Sequence, residues 1–337
     1  MKNLKLTLLA FLTLIVSCEN DEPENVTQQI DKIEMQSVVF ITGIDEDDNT
    51  FYKNAKTHFK QQQLTIVEDV SSIEDVILWL NAHYDGKNYD NIHIVSHSNA
   101  WRGIALRTCE DGERITFKSL KSVSFPKFEN GVSDETNIIF HSCGLGANKD
   151  LMKALKIVFS SDVKPNLYAS EFFNVFGGKY ASHYLAQPFY VFYPTAHSPG
   201  NITLSDEIAH SYPSVSIDWL TALETRKETE AGVPYSYRFN IPVNWDIIFD
   251  DVSDIPELTS ADDIMDFILE NEDLSMALYE LGIPMDKFRW DSISLENVLT
   301  IKGKTTVLCV LNPVMDTYVP AEYSIPDIEH PRLYTKF

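Results

Sequence analysis

Residues 36–210 of this 337-residue chain predict an α/β domain, a mostly parallel central sheet with helices on both faces. Three observations predict it: apolar runs of strand length alternate with amphipathic helical stretches, the links between them are short, and an Asp-Gly hairpin interrupts the alternation once. Val38-Val39-Phe40-Ile41 is the first strand. Phe51, Ala55 and Phe59 then recur at helical spacing between Phe51 and Gln62, and Leu64-Thr65-Ile66-Val67 is rich in β-formers. A second helix begins at Ser71 or Ser72, with Glu74 and Asp75 in its first turn and Ile73, Val76, Ile77 and Leu80 on one face. Asn91 to Ser96 is the third strand and completes a βαβαβ order. Gly103–Thr108 and Ile115–Phe117 flank Asp111-Gly112 and predict the hairpin, followed by a short helix at Ser119–Val123. Thr136–Phe140 is the next buried strand, Asn148–Phe159 a helix and Asn166–Ser170 a further strand, with the domain expected to close near residue 210. For residues 211–337 the expectation is a less regular α+β region. It rests on an amphipathic stretch from Asp262 to Leu281 and two strand candidates, Asn297–Ile301 and Thr305–Leu311. Pro313, Pro320, Pro326 and Pro331 suggest an extended C-terminal segment packed on the domain.

The N-terminus bears on the compartment. Lys2 and Lys5 precede an apolar run from Leu6 to Val16 that ends at Ser17-Cys18, the layout of a signal peptide over residues 1–17. The run is short for a transmembrane helix, which needs about 20 residues. Ile15-Val16-Ser17-Cys18 resembles the lipobox of bacterial lipoproteins, which implies lipidation of Cys18 and an outer-membrane or cell-surface anchor. An ordinary secretory signal with an incidental Cys is the alternative. Residues 18–35 read as an acidic tether, and Glu19-Asn20-Asp21-Glu22-Pro23-Glu24 resembles the export signals of surface lipoproteins in Bacteroides-like organisms. Loss of residues 1–17 takes the formal charge from −23 to −25, which argues against nucleic acid as a partner. With Cys18 lipidated, Cys109, Cys143 and Cys309 remain, so at least one thiol stays free or pairs between molecules.

In an open parallel sheet the chemistry gathers beyond the carboxyl ends of the strands. Two predicted strands end in reactive residues there, the third at His97 and the next at Cys143, 46 residues apart with the hairpin between them. Ile94-Val95-Ser96-His97-Ser98 and Ile139-Phe140-His141-Ser142-Cys143-Gly144-Leu145-Gly146, over Val38 to Ser170, resemble the two catalytic motifs of the caspase-like cysteine peptidases. The resemblance implies a caspase-like fold and a peptidase acting on peptide or protein substrates. In it Cys143 is the nucleophile and His97 the general acid and base, with backbone N–H groups of Ser98, Cys143 and Gly144 around the oxyanion. Ser98 stands where the family usually has Gly. His141 stands where relatives that cleave after Arg or Lys often carry Asp, so the motif does not support basic specificity, and His141 and Glu171 are left as possible pocket residues. His183 and His197 lie downstream without a role.

Three other readings stay open: a catalytically inactive domain of the same fold, a surface-anchored binding lipoprotein, and a serine hydrolase. The last rests on Ser96-His97-Ser98-Asn99-Ala100, which loosely mimics a nucleophile elbow with Ser98 as nucleophile and would require a helix to start at Asn99. No spacing suggests a metal site, a phosphate loop or an EF-hand, so no cofactor is expected, although some caspase-like relatives need calcium.

Overall fold

The computed structural model describes residues 36–45, 50–99, 101–194, 199–319 and 321–337. The signal segment, Cys18 and the acidic tether lie outside the described residues, as does His197.

The chain opens with β1 (Gln36–Ile41), α1 (Thr50–Gln61), β2 (Thr65–Val67), α2 (Ile73–Ala82) and β3 (Tyr89–Val95). α2 starts where the sequence predicts: Ser72 is its N-cap, and its hydroxyl accepts from the Asp75 N–H. A small three-stranded sheet follows, β4 (Ser98–Asn99), β5 (Gly103–Arg107) and β6 (Arg114–Ile115), and leads into α3 (Phe117–Lys121). β7 (Asn137–His141), α4 (Lys149–Val158) and β8 (Asn166–Ala169) resume the alternation. β1, β2, β3, β7 and β8 are mutually parallel in the order β8-β7-β3-β1-β2. Successive residues of a strand point to opposite faces. Val38, Phe40, Ile92, Ile94, Ile138 and Phe140 therefore pack under α2, α4 and the small sheet, while Val39, Ile41 and Val95 pack against Tyr52, Ala55 and Phe59 of α1. The α/β class and the helices on both faces are thus present.

The second half departs from the expectation of a separate region after residue 210. β9 (Phe173–Phe176) and β10 (His183–Pro194) turn away from the first sheet, and α5 (Asn201–Ser211) and α6 (Trp219–Glu224) follow. Then come β11 (Tyr235–Ile248), α7 (Ala261–Glu270), α8 (Glu272–Leu281), β12 (Arg289–Leu295), β13 (Val298–Pro313) and β14 (Thr335–Lys336). β13 pairs antiparallel with β10, β11 and β12, so a strand from the last fifth of the chain lies beside one that precedes residue 210. Glu34–Phe337 accordingly forms one compact unit with no division at 210. β14 adds antiparallel to β8 at the edge of the first sheet, with Leu333 and Tyr334 buried beside it.

Two further differences have local causes. The amphipathic stretch 262–281 is two helices, broken at Asn271, whose side chain caps α8 through the Leu274 N–H. The two strand candidates are one strand, β13. Between them Gly303 lies within the strand, where the Trp290 ring and the Val243 side chain occupy the space a Cβ would take.

Candidate active site at the ends of β3 and β7

The parallel pairing of β3 with β7, Val95 opposite His141, sets the two loops that follow side by side. Ser98 locks them together, its hydroxyl donating to the Cys143 carbonyl at 2.7 Å. His97, Ser98 and Cys143 line one cavity of about 490 Å³. The sequence expectation that His97 and Cys143 share a sheet edge is met.

The His97 ring stacks on Phe51 at 4.3 Å between centroids and meets Tyr52 edge-on at 5.0 Å. Its backbone N–H donates to the Tyr52 hydroxyl, which in turn donates to Asp45 Oδ1 at 2.9 Å. Burial lowers the His97 pKa, and the Arg114 charge adds to that, while the Asp45 carboxylate opposes it. A neutral imidazole, able to accept a proton, is the consequence.

Cys143 is 8 % exposed, packed with Phe173, Tyr184, Cys309 and Leu311. Its Sγ donates to the Asn174 carbonyl at 3.7 Å, and burial pushes the thiol up to about 12. Asn174 is a junction: its Oδ1 meets His183 Nε2 at 3.0 Å, and its Nδ2 donates to the Ser142 carbonyl at 3.4 Å.

The turn after Cys143 explains the C-x-x-G spacing. Gly144 has φ +69°, the left-handed region, and a Cβ on Gly146 would lie 2.5 Å from the Ala169 carbonyl oxygen at the end of β8. Gly146→Ala is expected to cost ~2–3 kcal/mol of stability by overpacking, read as a lower urea midpoint with an unchanged m-value. An unaltered midpoint would show that the turn can move away from β8.

Several sequence expectations for the site are corrected. The Gly144 N–H donates to the Phe172 carbonyl at 3.0 Å and is not available to an oxyanion. The Ser98 N–H remains a candidate: the Ala105 N–H donates to the His97 carbonyl, and the pleat then turns the Ser98 amide away from β5. His141 does not line the cavity. It lies on the face of β7 that packs towards α1, its Nε2 within 2.9 Å of His93 Nδ1 and its ring against Phe59 and His183. Glu171 is exposed and likewise lies off the cavity. Ser98 opens a hairpin rather than a helix, so the strand-to-helix context of a nucleophile elbow is absent.

The remaining walls were not read from the sequence. Asp45, Arg102 and Arg114 also line the cavity, Asp45 and Arg114 close enough to act on His97, and Tyr235, Tyr237, Phe239 and Leu311 complete it, with Tyr235, Phe239 and Leu311 in the cluster around Cys143. The i, i+2, i+4 aromatics of β11 were the available signal. Among the described residues no group of three or more His, Cys, Asp or Glu is arranged to hold a metal ion. Comparison with protein-family models, curated proteins and solved structures gives no match.

Proposed function

We propose that the chain is a thiol-dependent peptidase of the caspase-like type, acting on peptide or protein substrates. The observation that carries the reading is the convergence of His97 and Cys143, from adjacent parallel strands, on one cavity large enough for a few peptide residues. Cys143 Sγ attacks the acyl carbon, His97 takes the thiol proton and delivers it to the leaving amine, and the N–H groups of Ser98 and Cys143 face the developing oxyanion. The resting thiol points at Asn174, so the side chain turns towards His97 when substrate binds. Loss of turnover in Cys143→Ala and His97→Ala is the test, argued in the Discussion.

A second reading, a catalytically silent binding domain of the same fold, is favoured by one observation: the Cys143 thiol is buried, protonated and bonded to Asn174. Full retention of peptide binding with no turnover in the unmodified chain would select it.

Anchoring through Cys18 to the outer membrane or cell surface belongs to the same proposal. Among the described residues no helix is long and apolar enough to cross a membrane. Cys18→Ala is expected to move the protein from the membrane to the soluble fraction or to block its maturation, read by fractionation and fatty-acid labelling. Unchanged labelling of the variant would refute the lipid anchor.

A further inference from the structure

The outer face of α7 and α8 departs from the usual division of a surface helix, which buries one apolar stripe and turns polar residues to water. The buried stripe is present: Ile264, Ile268, Leu274 and Leu278 pack with Trp290 and Ile301 of the second sheet. On the other side of α8, Glu272, Ser275, Met276 and Tyr279 recur at i, i+3, i+4 and i+7. With Leu269 and Glu270 from the end of α7 they line a groove of about 490 Å³. Leu269, Met276 and Tyr279 are 62, 53 and 82 % exposed. A lone exposed apolar side chain needs no explanation, but three lining one groove mark a surface that meets a partner.

The charge around the groove is of one sign. From Phe239 to Met285 the sequence has twelve carboxylates and no Lys, Arg or His. Glu270, Glu272, Asp273 and Glu280 are all exposed, and none makes an ion pair with a described residue. Glu272 and Asp273 stand in the first turn of α8, where the helix dipole favours an anion. Glu280 stands in the last turn, where the dipole opposes it and no basic residue offsets it. Helix stability therefore accounts for part of this acidic rim and not for the whole.

We propose that the groove docks a cationic amphipathic helix of a partner protein, its apolar side chains seated on Leu269, Met276 and Tyr279 and its Lys or Arg residues facing Glu270, Glu272, Asp273 and Glu280. Charge complementarity selects that occupant. A second copy of the chain would set two acidic faces against each other, and the same sign repels nucleic acid and anionic lipid. An apolar groove is a general receptor for the apolar face of a helix, and the unbranched Met276 adapts to its contour. The inference does not depend on the peptidase reading, since this groove and the cavity at the ends of β3 and β7 share no residue.

The experiment titrates the full chain with three labelled synthetic helical peptides: one with Leu on one face and Lys on the other, one with Glu in place of each Lys, and one with Gln in place of each Leu. The Leu–Lys peptide is expected to bind, less tightly as salt rises, and the other two to bind roughly tenfold or more weakly, because apolar burial and charge pairing both contribute. Met276→Ser combined with Tyr279→Ser lowers the Leu–Lys affinity by a similar factor. That pair leaves the charge unchanged, so general attraction to an acidic protein cannot mimic the loss. Glu270→Gln combined with Glu272→Gln weakens binding at low salt and flattens its salt dependence. All four side chains are exposed, so both pairs are expected to keep the urea midpoint, and Tyr279→Ser alone repeats the test should a pair lower it. Absence of binding by the Leu–Lys peptide, equal binding of the Leu–Lys and Gln–Lys peptides, or an affinity unaltered by removal of Met276 and Tyr279 each overturns the docking site.

Discussion

Cys143→Ala and His97→Ala are each expected to lower peptide turnover by about 10⁴-fold or more, and the double variant to be no worse than either single one, because in the proposed mechanism nucleophile and base act as a unit. With burial pushing the thiol up to about 12, the protonated form dominates at neutral pH. A standing thiolate–imidazolium pair is thus not the resting state. In the proposed mechanism His97, whose pKa burial lowers, would instead take the proton as sulfur attacks. The same physics reverses the thiol-labelling order that a free catalytic thiolate would give: in the resting chain iodoacetamide reaches half-buried Cys109 before Cys143. Ser98→Ala loses the hydroxyl bond to the Cys143 carbonyl, worth ~1 kcal/mol, and keeps most of the turnover because its backbone N–H remains. Measured kcat/KM values decide the matter, and turnover that survives Cys143→Ala ends the thiol reading.

Acidification from pH 6.5 to pH 4 is expected to destabilise the fold steeply. His58 of α1, His93 of β3, His141 of β7 and His183 of β10 form a chain of imidazoles, with centroid separations of 5.2 Å for His58–His183, 5.4 Å for His183–His141 and 5.2 Å for His141–His93. Burial lowers all four pKa values, and repulsion among the histidines adds to this at His93, His141 and His183. His93 is lowered to about 4. A depressed histidine pKa means the unfolded chain binds more protons between the folded and unfolded values. The stability this group provides is therefore complete above pH 6.5 and is lost as the pH falls towards 4. The His93 shift alone corresponds to about 3 kcal/mol, and His141 and His183, also lowered by burial and by neighbouring histidines, act in the same direction. Urea unfolding at pH 7 and pH 4.5, compared between the unmodified chain and His93→Gln, isolates the effect from general acid denaturation. If the two proteins lose stability in parallel, the imidazole chain is not its source.

The first sheet was legible because its principal strands carry short apolar clusters, Val38–Ile41, Ile92 with Ile94 and Val95, Ile138–Phe140 and Leu167–Ala169, and capped helices lie between them, as at Ser72 and Asn148. His97, Ser98 and Cys143 were legible for the same reason, since a strand end fixes where its loop lies. His141 was misassigned because position along a strand does not reveal which face a residue takes at the sheet's edge. The pleat carries it to the α1 side, among aromatic rings. The alternating aromatics of β11 mark a strand but not its place: the pairing of Tyr235 with Leu311, which brings both into the cluster around Cys143, joins residues far apart in sequence and no local pattern encodes it. The partition at residue 210 failed on the same account, because the pairing of β10 with β13 is non-local.

That pairing also fixes when the cavity can exist. Ala186 meets Pro313 and Pro194 meets Thr305, so more than a hundred residues must be drawn into a loop before β13 rewards the closure. Until Val298–Pro313 has docked, β11 has no strand to pair with, and Tyr235, Tyr237 and Phe239 are not held in register to line the cavity. The parallel strands that bear His97 and Cys143, by contrast, are all drawn from residues 36–169. A chain in which β13 has not docked therefore carries His97 and Cys143 on the parallel sheet without the β11 side of the cavity.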